Sequence, residues 1–301
     1  MVDFRGNGFI LQIPEDWVDS TIYTFVGSIT GGGTYWVRVN VEKDPVAGGI
    51  ADYARTRLDA MLTVAGTRLL KREEGAVHES FQAAQAEIRW QPTDDLRIYQ
   101  RVLVGLWPRT GVTLVTQMNK KERQTVGPTL DRILAGVRPR SAASDPEEGW
   151  VRFDADRFSL LAPGDWSDQS VYSLAEPDES QFRRNLVIQR RIVPDPDQPL
   201  QELASQGLVN LQETVKGIED VEQTDSETAD GSPAVRLDFT RAVEGGRVRQ
   251  TQLLARREDT LHVLNLTTEL DPPEEINADL ERVITSFAFG DAGGESTEPA
   301  T

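Results

Sequence analysis

Cysteine is absent from the 301 residues, and histidine occurs only twice, as His78 and His262. Without thiols the chain has no disulfide framework and no thiolate nucleophile, and two isolated imidazoles exclude a histidine-rich metal site. No apolar run approaches the ~18 residues of a membrane span, so no stable membrane insertion is expected. The opening MVDFRGNGF lacks the basic-then-apolar pattern of a secretory leader, which points to a cytoplasmic protein. Neither histidine lies beside a Gly-x-Ser-x-Gly elbow or in a His-Glu-x-x-His helix. His78 reads as part of a polar loop and His262 as part of a strand. Gly31-Gly32-Gly33 is followed by Thr34, Tyr35 and a strand pattern, not by Lys-Ser/Thr and a helix, so it reads as a hairpin turn and not a phosphate cradle. The acid pairs Glu73-Glu74 and Asp94-Asp95 fall in stretches read as turns, without the convergence across a cleft that two-carboxylate chemistry needs. The expectation is a non-enzyme: no catalytic residue, no metal and no cofactor.

Positive charge is scarce in one half only. The net charge is −17, yet residues 1–150 hold 18 Lys and Arg against 19 Asp and Glu, whereas residues 151–301 hold 14 against 30. Such a surface repels a polyanion, which argues against nucleic acid as a ligand. It serves solubility, or alternatively offers an acidic face to a basic partner.

What the chain does have is a sentence said twice. Phe9 to Tyr23 reads FILQIPEDWVDSTIY, and Phe158 to Tyr172 reads FSLLAPGDWSDQSVY. A repeat at this distance is far too long for a solenoid unit and fits two copies of one domain. Each copy opens with alternating strand residues, a Pro-x-Asp-Trp turn and an extended run. Trp17 and Trp166 are expected to cover one end of each core, and Asp19 and Asp168 to cap the turns. Strands follow at Trp36–Val41 and Asn185–Arg190, then helices from Ile50 towards Gly66 and from Leu200 towards Gly217. Further strands are read at Phe81–Trp90, Arg97–Leu106 and Val112–Met118, matched by Ala234–Arg241, Arg247–Ala255 and Thr260–Thr268. Their short links, such as Pro92–Asp95 and Glu244–Gly246, make them antiparallel. Closing helices run over Val126–Val137 and Ile276–Phe287. The fold class is therefore α+β, two tandem copies of an antiparallel sheet with helices on one face. The expected division is 1–138, a polar linker 139–150, a second copy 151–289, and a tail 290–301 with the composition of disorder.

The most informative feature is what the strands carry on their second face. Ile22, Thr24, Asn40, Gln100, Val102 and Gln117 in the first copy, and Val171, Ser173, Gln189, Gln250, Gln252 and Asn265 in the second, are small apolar, amide or hydroxyl residues. Charged residues are the usual occupants of such a face. A surface of this kind suits an apolar helix whose polar atoms meet the amides.

The repeated FxLxxPxDWxDx(S/T)(I/V)Y pattern resembles the opening of the DcrB-related domain family. Later segments agree with it: Asn185 to Arg190 (NLVIQR), Gly231 to Leu237 (GSPAVRL), Gln250 to Gln252 (QTQ) and Ile284 to Phe287 (ITSF). The first copy departs from the pattern at Trp36 and at Ala83 to Gln85. Signal-less members of that family resemble the Eag chaperones of type VI secretion, dimers whose sheets form a cradle. The resemblance implies a partner: a secreted PAAR-type effector whose N-terminal transmembrane helices are shielded before export, with the secretion spike as a further contact. A two-copy chain would then act as a pseudo-dimer, with the twelve residues above lining the groove. The alternatives are a protein-interaction adaptor using the acidic second domain, and a ligand-binding or enzymatic pocket.

Overall fold

The computed structural model describes residues 1–29, 33–78, 81–142, 145–177 and 183–290. The chain opens with β1 (Val2–Gly6), β2 (Phe9–Ile13) and the two-residue β3 (Val18–Asp19), followed by β4 (Ile22–Ser28), β5 (Thr34–Lys43) and α1 (Ile50–Leu62). Next come β6 (Thr67–His78), β7 (Phe81–Trp90), β8 (Ile98–Trp107), β9 (Thr110–Asn119), α2 (Gly127–Ala135) and the short β10 (Arg138–Pro139). Then follow β11 (Trp150–Asp154), β12 (Phe158–Pro163), β13 (Ser167–Asp168), β14 (Val171–Ala175), β15 (Asn185–Ile192) and α3 (Leu200–Thr214). The chain closes with β16 (Ile218–Glu227), β17 (Pro233–Val243), β18 (Gly246–Arg257), β19 (Thr260–Glu269), α4 (Glu274–Thr285) and β20 (Ala288–Phe289). Every strand pairing is antiparallel among the described residues, as the short connections require. Gly31 and Gly32 of the expected hairpin turn, and the tail from residue 291, lie outside the described residues.

The compact units do not follow the halves of the sequence. One is built from Met1–Ser20 together with Val171–Thr301, the other from Thr21–Ser170. This corrects the division at 138 and 151. The reason lies in the short strands after each turn. β3 pairs with β14, Val18 opposite Ala175, and Ser20 N donates to Ser173 O at 2.9 Å. β13 pairs with β4, Ser167 opposite Val26, and Gln169 N donates to Thr24 O at 2.8 Å. Each opening hairpin therefore belongs to the body made by the other half.

In the Thr21–Ser170 unit the strand order is β4-β5-β9-β8-β7-β6. One face carries Tyr23, Phe25, Val37, Val39, Leu103 and Leu114, all buried. The β11–β12 hairpin covers it: Phe158 meets Tyr23 edge-on with ring centroids 5.0 Å apart, and Phe153 lies 4.9 Å from Phe25. α2 shares this face, its Asp131 reaching Arg101 of β8 at 3.6 Å. The opposite face takes α1, whose Tyr53, Ala54 and Leu58 pack with Ala84, Ala86, Ile88, Val102 and Val104. In the other unit the order is β16-β17-β18-β19-β15-β14. α3 packs through Ala204 on Val235, Leu237, Phe239 and Leu254. The opposite face meets the β1–β2 hairpin and α4, whose Glu281 holds Arg236 of β17 at 2.7 Å. Helices thus occupy both faces of each sheet, where the sequence led us to expect one. Alternating strands with an apolar set on both faces require cover on both.

Trp17 and Trp166 are buried, as expected of end covers, and Asp168 caps its turn by accepting the Ser170 amide at 2.8 Å. The Trp166 indole donates to Ser28 O at 3.1 Å and lies across Gly27, where any Cβ would collide with its Cδ1 and Cγ. Gly27→Val should therefore lower the urea-unfolding free energy by about 1–3 kcal/mol, the usual range for overpacking, and red-shift tryptophan emission. A wild-type midpoint with unchanged emission would mean the indole does not sit there.

Candidate functional site

Each sheet has one face that its helix covers only in part. In the Thr21–Ser170 unit α1 lies over β6, β7 and β8, its Tyr53 reaches Gly111 and Thr113 of β9, and its Arg57 pairs with Glu42 at the end of β5. The same face continues beyond the helix over β4, the rest of β5 and the Gln117 end of β9. Cross-strand register defines it: Ile22 opposes Asn40, Thr24 opposes Arg38, Asn40 opposes Thr113, and Gln117 opposes Gln100. Opposed residues share a face. Ile22, Thr24, Asn40, Gln100, Val102 and Gln117 therefore lie on one face. Ile22 is 52% exposed and Asn40 is exposed, whereas Thr24, Gln100 and Gln117 are half-buried. Val102 is only 1% exposed because it belongs to the core under α1. It is removed from the candidate groove: alternation set its face correctly but carries no information on where a helix lands.

The second unit repeats this geometry. Val171 opposes Gln189, Ser173 opposes Val187, Gln189 opposes Val263, and Asn265 opposes both Val187 and Gln252. α3 covers β17 and β18, leaving Val171 46% exposed and Ser173, Gln189, Gln252 and Asn265 half-buried. Gln250 is the exception. It is buried, and its Nε2 donates to Asn265 Oδ1 at 3.2 Å and Thr267 Oγ1 at 3.0 Å. It is a positioning residue for Asn265, not a contact surface. With both Gln250 donors spent inside, the Asn265 amide donors and the whole Gln252 amide have no partner among the described residues.

The sequence reading passed over several residues that share these faces. Val26, Trp36 and Val115 are half-buried on the first, with Arg38 exposed and its guanidinium 4.6 Å from the Trp36 ring centroid. Val187 and Val263 are half-buried on the second. The signal was available, since each stands two positions, or four for Trp36, from a chosen residue on the same strand. The first face is thus more apolar and carries Arg38; the second is richer in amides and carries the exposed Arg191, which donates to Gln189 Oε1 at 3.1 Å.

Elsewhere the ionisable groups serve packing. Glu73 and Glu74 lie in β6, not in a turn, while Asp94 and Asp95 do lie in the β7–β8 turn. His78 ends β6. Arg236 is held by Asp238 and Glu281, and those ion pairs lower both carboxyls. Burial pushes the Tyr53 phenol up to about 12 and raises the Asp131 carboxyl. Among the described residues no helix is long and apolar enough to cross a membrane.

The DcrB family model matches residues 158–286, a stretch that begins in one compact unit and ends in the other. No curated protein matches the chain. Two solved structures match over nearly its whole length. The apo structure of immunity protein TplEi of the T6SS from Pseudomonas aeruginosa aligns with TM-score 0.54 and 13% identity, over 96% of this chain and 96% of that one. A chain of the Tle4–Tli4 complex aligns with TM-score 0.54 and 13% identity, over 96% of this chain and 97% of that one. At such identity the likeness is one of fold, and it takes in both units of this chain.

Proposed function

We propose that this chain is a non-catalytic, cytoplasmic binding protein for a T6SS effector, which it holds on the partly uncovered sheet faces. The observation that carries the reading is the pair of exposed aliphatics, Ile22 and Val171, each on a partly open face otherwise made chiefly of amides, hydroxyls and half-buried apolar residues, with Arg38 on the first and Arg191 on the second. Apolar side chains left open on the same faces as amides suit a helix that is apolar with occasional polar atoms. Burying such a helix gains roughly 25 cal/mol per Å² before ordering costs. No bond chemistry is needed. On this reading the cargo is the apolar N-terminal helices of a PAAR-type effector, which would aggregate in water without cover.

A second reading is favoured by a different observation. The likeness to the immunity protein TplEi extends over both units, and it supports a partner that neutralises its effector instead of escorting it. Both readings place an effector on this protein, and they separate in the cell. A chaperone keeps its effector in the soluble fraction, whereas an immunity protein leaves effector abundance alone and suppresses its toxicity.

The test is affinity purification of the tagged full chain from its native cells, wild type against Ile22→Asp, Val171→Asp and the double variant. Burying a carboxylate without a partner costs a few kcal/mol, so recovery of the effector should fall about 100-fold in the double variant. Circular dichroism and melting temperature should stay at wild-type values, because both side chains are exposed. Undiminished recovery in all three variants would place the contact surface elsewhere.

A further inference from the structure

We infer that Arg38 is a specificity-determining contact of the first face, where it reads the carboxylate of an Asp or Glu on the apolar segment held there. The inference rests on the effector-binding reading above and names a chemical group that the partner carries. Arg38 lies in the middle of β5, with Thr24 of β4 opposite it on one side and Val115 of β9 on the other. Trp36 and Asn40 stand two positions away on the same face. None of these neighbours is charged. The exposed guanidinium lies over the Trp36 ring, 4.6 Å from its centroid. Among the described residues no carboxylate pairs with it, whereas Arg57, Arg101, Arg109 and Arg123 of the same unit are held by Glu42, Glu87 or Asp44.

The fold does not require this arrangement. Ile22 opposes Asn40 as Val171 opposes Gln189, so Asn185 stands in β15 where Trp36 stands in β5, and Val187 where Arg38 stands. The second unit thus builds the same strand without an indole or a guanidinium at these two positions. Nor does Arg38 guard a sheet edge, because β5 is paired along both sides. A guanidinium stacked on an indole is held through the face of its plane. Its N–H edges stay free, in a geometry that matches the two oxygens of a carboxylate. An apolar segment laid across Arg38 without an acceptor strips water from a cation and leaves it unpaired, which is costly. The same residue therefore favours a segment that carries an acid and disfavours one that does not.

Three synthetic peptides test it, each an apolar helix of about 20 Leu and Ala residues with neutral solubilising tails and a single central Glu, Gln or Lys. Their affinities for the full chain are measured by fluorescence anisotropy of the labelled peptide, wild type against Arg38→Gln and Arg38→Glu. The Glu peptide should bind wild type about tenfold more tightly than the Gln peptide, as a charge-assisted pair predicts, and the Lys peptide should bind more weakly than either. Arg38→Gln should erase the Glu preference, and Arg38→Glu should turn it towards Lys. Salt gives an arm that needs no variant: raising it from about 0.05 to about 0.5 M should shrink the wild-type preference. Equal binding of the Glu and Gln peptides to wild type, or a Glu preference that survives Arg38→Gln, would overturn the inference and leave the effector-binding reading standing. Failure of all three peptides to bind would remove the apolar-helix reading, and the inference with it.

Discussion

Phe158→Ala will unfold the unit formed by Thr21–Ser170 and spare the one containing residues 171–290, although Phe158 lies in the second half of the sequence. Its ring is fully buried against Tyr23 at 5.0 Å and Phe25 at 6.4 Å, both from the first half. Deleting a buried phenylalanine typically costs about 3–5 kcal/mol through lost burial and the cavity left behind. Phe9→Ala should do the converse, since Phe9 packs on Tyr172, His262 and Phe287. Hydrogen exchange reads both outcomes on one map. With Phe158→Ala, amides of β5 and β9 should lose protection while those of β15 and β19 keep it; with Phe9→Ala the pattern should invert. Loss of protection in β15 on truncating Phe158 would mean the hairpins sit on their own halves after all.

Acidification should destabilise the second unit well before its carboxylates are fully titrated, and His262 is the cause. The imidazole is 3% exposed and ringed by Phe9, Phe287 and Phe289, with centroids at 5.9, 5.9 and 5.3 Å. Burial pushes its pKa down to about 3, and the nearby Arg190 and Arg257 push the same way. In the unfolded chain the same group titrates near 6.5. Between these values the unfolded state binds a proton that the folded state refuses. The contribution is therefore complete above about pH 6.5, falls as pH drops through the window, and is gone near pH 3. The gap corresponds to about 3 kcal/mol lost by pH 4.5 and at most about 5 kcal/mol in all. Because carboxylates add their own acid sensitivity, the measurement is a difference. Urea unfolding of wild type and His262→Leu is compared at pH 7.5, 6, 5 and 4.5, and the two stabilities should converge or cross as pH falls. Parallel acid limbs would show that the imidazole is already protonated, or solvated, in the fold.

The sequence was most readable where one side of a strand is buried and the other is not. β2, β5, β7, β9, β18 and β19 all appear in the alternation of their residues, and the four helices in their apolar spacing. β6 and β16 were missed. These strands end their sheets. β16, IEDVEQTDSE, is exposed along nearly its whole length, and both strands pair with register shifts, at Leu69/Lys71 and Gly75/His78 in β6 and at Glu219/Glu222 in β16. Backbone hydrogen bonds hold such edges, so no apolar pattern marks them, and their charges discourage further pairing. The six candidate residues of each unit share one face because the side-chain period is two. The placement of α1 and α3 over half of those same faces was not legible, and it removes Val102. The ownership of the hairpins was hidden for a deeper reason. Phe9 and Phe158 announce a buried aromatic, but the sequence around them is so alike that nothing local states which body receives which.

That crossed ownership constrains how a gene for this protein can change. Loss of residues 150–301 would take with it Phe153, Phe158 and Leu160, the aromatic and aliphatic layer beneath Tyr23 and Phe25, and leave the remaining half with an open core. Loss of the first 149 residues would take Phe4, Phe9, Leu11 and Ile13 from above Tyr172. Neither half is a spare. Mutations can tune the two partly open faces separately, giving one more apolar and one richer in amides, but a single deletion cannot reduce the chain to one self-sufficient body.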